Sequence, residues 1–430
     1  MVLTPSSRSR LSRPRNLLIT IVAASSLAVV AACGGASTAG PAAPAGSSSP
    51  VTAPTGSPIK TMTISAVDWN GPTYEDIQIV GKLYAQWIND RGGINGHPLD
   101  VLTCDDKGDP AQTQACARKG LDAGVVADVG TFTYNAGVMD PVYNGGTTAV
   151  FGGCCNLAPN EFTLSNTFQM GPNPALNAGG IAQAVKDGCK NIAVLELDLG
   201  AITTGPNGLQ TIFDNTAKAF GYTGKLKHIL VPLTTQDYTA QVAQATEGTD
   251  CISMFLSGSN IAGLLPAFAQ TGGTQHLYGA QGNFDHVSTK GFESLPGVAN
   301  GTVYGGYPPL SDPAWKDLRD AIKQYAAPSK FDYNSLAALG VWAAYSAFNQ
   351  IVTGMSGDIN HTTFLAAAAS AKVDTKGMTP PLDFAKTWPA FGGAYLRTFN
   401  TSVTMFKWSD GSTIGDRFLD LNNAMQGNAP

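Results

Sequence analysis

The sequence predicts an α/β fold of two lobes, each built on a parallel sheet flanked by helices. Three observations lead there. β-Branched runs alternate with apolar stripes at helical spacing from residue 59 onward, and a second series of the same kind begins near Pro174. The composition of the 430 residues, 43% hydrophobic and only 13% charged, suits packed cores rather than a disordered chain. Strands that alternate with helices form parallel sheets through right-handed crossovers. The loops after each strand then gather at one carboxyl edge, where open α/β sheets bind ligands.

The chain begins with an export signal. Arg8, Arg10, Arg13 and Arg15 carry the only charges before residue 60, and an uncharged, mainly apolar stretch of 16 residues, 17–32, follows at once. A spanning helix needs about 20 apolar residues, so a cleaved signal is a better reading than a permanent anchor. Val30-Ala31-Ala32-Cys33-Gly34 resembles the bacterial lipobox, in which small residues admit a peptidase just before a lipidated cysteine. Residues 1–32 are thus expected to be removed and Cys33 to become a lipid-anchored N-terminus. Residues 34–58 are almost entirely Gly, Ala, Pro, Ser and Thr, so 33–58 reads as a flexible tether. Cleavage removes four arginines and no acid, taking the formal charge from −5 to −9.

The body then alternates. Residues 62–67 form a β-branched run. Thr73-Tyr74-Glu75-Asp76 has the pattern of a capping box, and Ile77, Val80, Tyr84, Trp87, Ile88 and Arg91 follow at helical spacing. Strands are expected at 99–103, 125–130 and 149–152, with a helix at 111–120. The second series runs helix 175–187, strand 191–197, helix 208–220, strand 226–231, helix 239–245, strand 252–257, helix 261–270, and strands 276–280 and 301–304. The last third breaks the alternation, with helices at 313–325, 335–353 and 362–371 and one or two late strands within 394–406. Trp342, Tyr345 and Phe348 sit at helical spacing and are assigned to the core.

Beyond Cys33 six cysteines remain, and an even number in an exported chain favours disulfides over metal or catalytic thiols. Cys104 closes one strand and Cys116 lies in the next helix, which suits a strand-to-helix staple. Cys189 and Cys251 both stand where strands begin, at one end of one sheet. Cys154 and Cys155 are adjacent; they bridge each other, stay as thiols, or exchange with Cys104. No Cys-x-x-Cys occurs and the five histidines lack metal-ligand spacing, so no metal site is expected.

Several function classes drop out. No basic block beyond the N-terminus could track a phosphate backbone, which excludes nucleic acid as a partner. There is no Walker loop, no His-Glu-x-x-His and no nucleophile elbow, since Gly354-Met355-Ser356-Gly357-Asp358 ends in Asp. Gly279-Ala280-Gln281-Gly282 lacks the spacing of a dinucleotide loop, and Asp105-Asp106 reads as a solvated turn. Neither a cofactor nor an enzymatic activity is expected.

The segment Ile88-Asn89-Asp90-Arg91-Gly92-Gly93-Ile94-Asn95-Gly96, followed by Cys104-Asp105-Asp106-Lys107-Gly108-Asp109-Pro110, closely resembles the leucine/isoleucine/valine-binding proteins of bacterial ABC importers. Gly130, Gly188 and Gly279-Ala280-Gln281-Gly282 fall at further landmarks of that family, and the resemblance runs from about residue 60 to the C-terminus. It implies a type I periplasmic-binding-protein fold: two Rossmann-like lobes joined by three interlobe crossovers that close on a small ligand. Lobe one would comprise residues 59–173 and 308–380, and lobe two 174–307 and 381–430. The implied function is that of an exported, lipid-anchored monomer on the outer face of the cytoplasmic membrane, delivering a small polar ligand, an amino acid or a related compound, to ABC permease subunits. A ligand-sensing receptor of the same fold that signals to a membrane partner would share these features, and an exported enzyme on such a scaffold is the more distant alternative.

The resemblance also implies a site. In the family, two loops of lobe one hold the ligand carboxylate with hydroxyls and backbone N–H groups. Here those loops look like Thr131, Phe132, Thr133 and Tyr134, with Tyr134 at a family serine position, and Gly153, Cys154, Cys155 and Asn156. In lobe two Ser257 falls where the family has an aromatic wall, and Gln281 where it has a glutamate that pairs with an α-ammonium. Losing that charge removes the strongest reason to prefer a zwitterion, because a charge-assisted hydrogen bond is about twice as strong as a neutral one. Glu161 and Asp198 are the acids that would take over the role if the ligand is an amino acid.

Overall fold

A computed structural model describes residues 52–156 and 158–430; the expected export signal, Cys33 and most of the expected tether lie outside the described residues. The first series comprises β1 (Ile59–Ser65), α1 (Glu75–Asn89), β2 (Leu99–Asp105), α2 (Pro110–Asp122), β3 (Ala127–Val129), α3 (Ala136–Gly145), β4 (Ala149–Gly152) and β5 (Thr167–Gln169). Its strands form one parallel sheet in the order β2-β1-β3-β4-β5.

The second series comprises α4 (Ala175–Lys186), β6 (Ile192–Leu197), α5 (Ala201–Thr204), α6 (Leu209–Ala219), β7 (Lys227–Val231), α7 (Thr239–Thr246), β8 (Cys251–Phe255), α8 (Gly258–Gln270), β9 (His276–Ala280), α9 (Pro296–Ala299) and β10 (Thr302–Gly305). The remainder holds α10 (Lys316–Gln324), α11 (Leu336–Thr353), α12 (His361–Ala369), a small hairpin β11 (Lys372–Val373) and β12 (Leu382–Asp383), β13 (Ser402–Lys407), β14 (Leu419–Asp420) and α13 (Asn422–Met425). The second sheet runs β14-β13-β10-β9-β8-β6-β7. Five of its strands are parallel, but β13 lies antiparallel to β10 and β14 antiparallel to β13, so this sheet is mixed rather than purely parallel.

Helices α1, α10, α11 and α12 pack on or over the first sheet, whereas β13 adds to the second. The chain therefore passes between the two sheets three times, within residues 170–174, 306–312 and 384–401. Trp342, Tyr345 and Phe348 are all buried core residues of α11. The Tyr345 hydroxyl meets the Thr61 and Thr63 hydroxyls of β1 at 3.0 and 2.8 Å, which satisfies the polar end of an otherwise apolar contact. Two of the three disulfides brace the sheets, Cys104 to Cys116 between β2 and α2, and Cys189, before β6, to Cys251 at the start of β8.

Local details depart from the sequence reading in instructive ways. Helix α1 is capped at Tyr74 rather than Thr73, with no side-chain cap bond. The Tyr74 amide is already bonded to the Ala66 carbonyl at 2.8 Å, and the Asp76 carboxylate accepts from the Ser335 hydroxyl at 3.2 Å instead of reaching back. Helix α3, with Pro141 inside it, and the three-residue β5 were both missed. Of the late strands expected within 394–406, only β13 forms, and Thr398 adds a single bridge to Gln169.

Candidate functional site

The carboxyl ends of β1 to β4 present four loops on one edge of the first sheet: 66–74, 106–109, 130–135 and 153–156. Two aspartates at the end of β2 organise them. Asp105 accepts the backbone N–H groups of Val67, Asp68 and Lys107 at 2.9, 3.1 and 2.9 Å. Burial opposes its ionisation, yet those amides outweigh it and hold the carboxyl below its usual range. Asp106 is fully buried. It accepts the Thr133 hydroxyl, the Thr113 hydroxyl at 2.9 Å and the Gly108 amide at 3.0 Å, so it clamps the 130–135 loop to α2. The pair is a bracket, buried at Asp106 and half-buried at Asp105, not the solvated turn that adjacent acids suggest.

Within that loop the polar groups are largely committed. The Thr131 hydroxyl accepts the Ile64 amide at 2.8 Å, and the Thr133 hydroxyl accepts the Asn135 amide at 3.0 Å while donating to Asp106. Gly130 turns the chain at φ 76°, where a β-carbon would also lie 2.9 Å from Val341, so the turn requires glycine. What the loop presents outward is the ring of Tyr134, while its Phe132 is buried. Phe132 stacks edge-on against Tyr74 at 4.7 Å and against Tyr134 at 5.2 Å, Trp69 lies 5.6 Å from Tyr134, and the hydroxyls of Tyr74 and Tyr134 are 2.9 Å apart. Tyr134 is 39% exposed, an unusual value for a large ring within a cluster. Trp69 and Tyr74 were not singled out from sequence; their only signal was proximity to a strand's carboxyl end.

The second loop is packed tightly. A β-carbon at Gly153 would lie 2.6 Å from the Gly340 carbonyl carbon of α11, and the Gly153 carbonyl accepts the Tyr307 hydroxyl. Cys154 is bonded to Cys155, whose backbone sits at φ 64°. The Asn156 amide donates to Glu161 at 2.8 Å and to Gln169. Glu161 is thereby placed beside this loop, whereas Asp198 follows β6 on the other sheet and is exposed.

On the second sheet Ser257 and Gln281 follow the carboxyl ends of the neighbouring strands β8 and β9. Ser257 is the N-cap of α8: its hydroxyl accepts the Asn260 amide at 3.3 Å and donates to the Asn260 side chain. That cap starts α8 at Gly258, three residues earlier than expected, and occupies the hydroxyl. Gln281 is 1% exposed, and neither atom of its side-chain amide has a hydrogen-bond partner among the described residues. Its oxygen lies against Gly305, where a β-carbon would come within 2.6 Å. Among the described residues no hydrogen bond joins Ser257 or Gln281 to the two loops of the first sheet.

The first-sheet loops carry one cationic side chain, Lys107, and it lies 3.7 Å from Asp68 at the surface. An anionic group bound there would have to rely on neutral donors. Two cavities lie elsewhere: one of about 460 Å³ between α11 and α12, lined by Gln350, Met355, Thr363 and Ala367 among others, and one of about 200 Å³ beside α6. Neither includes a candidate residue. Among the described residues the one group with metal-ligand proximity is Cys189, Asp250 and Cys251, whose two sulfurs are bonded to each other.

A family described as periplasmic binding protein matches residues 76–411. No curated protein matches the sequence. Among solved structures the chain is similar to a possible leucine/isoleucine/valine-binding protein from Rhodopirellula baltica, with a TM-score of 0.66 at 17% identity over 86% of this chain and 98% of that one. It is also similar to a fatty acid ABC transporter substrate-binding protein from Thermomonospora curvata, with a TM-score of 0.64 at 16% identity over 84% and 92% of the two chains. A third is the solute-binding protein of an ABC transporter from R. palustris in complex with benzoate, with a TM-score of 0.61 at 16% identity over 84% and 95%.

Proposed function

Because the chain belongs to the periplasmic binding protein family, we propose that it is an exported solute-binding lipoprotein that holds a small polar ligand between its lobes and delivers it to an ABC importer. In this reading lobe one comprises residues 59–173 and 308–380, and lobe two 174–307 and 381–430. Loops 131–134 and 153–156 meet the ligand from one side and Ser257 and Gln281 from the other. The observation that carries the reading is the pairing of two carboxyl-edge loop sets on sheets joined by three crossings, one of them bearing the buried, unpartnered amide of Gln281. A buried amide without a partner is costly, and a ligand group bonded to it would remove that cost.

Relatives of this fold are described with leucine-type, fatty acid and benzoate ligands, so the fold does not choose the ligand. With Gln281 in place of an acid, selection for an ammonium is weak, and amide, carbonyl or hydroxyl groups suit the position as well. Native mass spectrometry of the purified protein should find a retained small molecule, and calorimetry with leucine, isoleucine and valine should find weak or no binding. Sub-micromolar binding of all three, undisturbed in Gln281→Ala, would overturn the specificity reading. Anchoring has its own test: Cys33→Ser should release the protein from the membrane fraction or leave it unprocessed, and unchanged fractionation and mass would exclude lipidation.

A further inference from the structure

We propose that the Cys154–Cys155 bridge is a thiol–disulfide exchange site through which an extracytoplasmic dithiol loosens the hinge between the lobes.

The three bridges differ in what they hold. They span sequence separations of 12, 62 and 1 residues. A bridge that closes a long loop removes much conformational freedom from the unfolded chain, whereas one between neighbours removes little. Opening Cys154–Cys155 therefore costs the global fold least. Access sets only the Cys189–Cys251 bridge apart, since both of its cysteines are buried; Cys104–Cys116 and Cys154–Cys155 each join one buried to one half-buried cysteine, so loop length is what separates those two. Cys155 also sits at φ 64°, a left-handed backbone region disfavoured for residues with a β-carbon, and the bond to its neighbour restrains it there.

The consequence of opening follows from the residues on either side. Gly153 accepts the hydroxyl of Tyr307, which lies on the second crossing between the sheets, and its backbone rests on Gly340 of α11. Asn156 is bonded to Glu161 and Gln169. The bridge thus lies between a contact to the hinge and a contact to the first lobe. When Cys155 relaxes, the change reaches the Gly153 carbonyl two residues away, and Tyr307 loses a fixed acceptor.

The chemistry is a two-electron exchange. A thiolate of the dithiol attacks the Cys155 sulfur, the sulfur–sulfur bond breaks, and Cys154 leaves as a thiolate and is protonated. The second thiol of the reductant then attacks the mixed disulfide, freeing Cys155 as a thiol. The dithiol is oxidised to a disulfide, and its two protons end on the two cysteines.

The exchange and hinge effects stand without a ligand; only an effect on affinity rests on the function proposed above. The intact protein is titrated under native conditions with dithiothreitol, quenched with iodoacetamide and mapped by peptide mass. The Cys154/Cys155 peptide should take up two alkyl groups at a concentration that leaves the other two bridges closed. At that point backbone hydrogen exchange around Tyr307 should rise about five- to tenfold, the effect of losing a restraining hydrogen bond. A Cys154→Ala/Cys155→Ala double variant should show the same rise without reductant, and Tyr307→Phe should show it in both redox states. If the double variant does not fold, selective reduction of the native chain carries the test. Opening of another bridge first, or unchanged exchange around Tyr307 in the selectively reduced protein, would overturn the proposal. A protein that binds no solute would leave both outcomes readable and count only against the transport function.

Discussion

Asp128 is a carboxyl in the wrong solvent. It sits on β3 with no exposed surface, between its strand neighbours Met62 and Val150, and neither oxygen has a hydrogen-bond partner among the described residues. Burial pushes its pKa up to about 7, against the opposing pull of the nearby Thr131 and Tyr143 hydroxyls. On α3, Asp140 is lifted in the same direction by burial and then by the charges of Glu161 and Asp128. An acid whose folded pKa exceeds its unfolded value of about 3.9 keeps its proton in the native state. Stability is then greatest below about pH 4, falls as pH rises to about 7, and is flat above it, by a few kcal/mol at most. Asp128→Asn removes that titration in the same shape. The variant should gain stability over the parent at pH 8 and little or none at pH 4.5, read as urea midpoints. A gain of equal size at both pH values would mean that charge is not the cause.

At the scale of elements, the candidate loop and α11 share one close contact. A β-carbon at Gly340 would stand 2.4 Å from the Gly153 carbonyl oxygen, and both partners are backbone, which cannot swing aside as a side chain can. Gly340→Ala should cost about 1–3 kcal/mol, the usual penalty of overpacking. It should lower the melting temperature by several degrees, and an unchanged melting curve would show that helix and loop part freely. Contacts of this kind explain what the sequence could and could not reveal. The strand and helix series was legible because β-branched runs and 3.6-residue stripes are local, as the bounds of β4 and β9 show. The pairing of Cys104 with Cys116 was suggested by a strand followed by its helix, and that of Cys189 with Cys251 by two strand beginnings. Helix α3 was hidden by Pro141 and by glycines at its ends, and β5 by its length of three residues. The bracket role of Asp106 depends on Thr113 and Thr133, partners 7 and 27 residues away, and no local pattern distinguishes it from a surface acid. The Thr73 cap failed because Tyr74 is drawn to Ala66 and Phe132, a tertiary demand that outranks a local motif.

For the whole molecule, the three crossings and the two carboxyl edges together define how it can move. The lobes touch where Tyr307 reaches Gly153, and where Gly282, at φ 78°, backs onto Ser335 and Leu336 at distances that leave a β-carbon about 3.1 Å from its nearest neighbour. These contacts lie next to the second crossing and at the start of α11, so they act as a pivot. Beyond it, the aromatic group of Trp69, Tyr74, Phe132 and Tyr134 stands on the edge of the first sheet, and exposed apolar residues follow three strands of the second: Ile202 after β6, Leu233 after β7 and Val287 after β9. Exposed apolar side chains gathered at sheet edges gain about 25 cal/mol for each Å² removed from water, which favours approach of the two edges once a ligand satisfies the polar groups between them. Closure about the pivot is a hinge motion of two rigid lobes. Small-angle scattering should therefore give a smaller radius of gyration for protein loaded with its retained molecule than for protein stripped by denaturation and refolding. Tyr134→Ser should weaken the compaction without abolishing folding. Identical profiles for loaded and stripped protein, with binding verified by native mass spectrometry, would mean that the lobes do not close on what they hold.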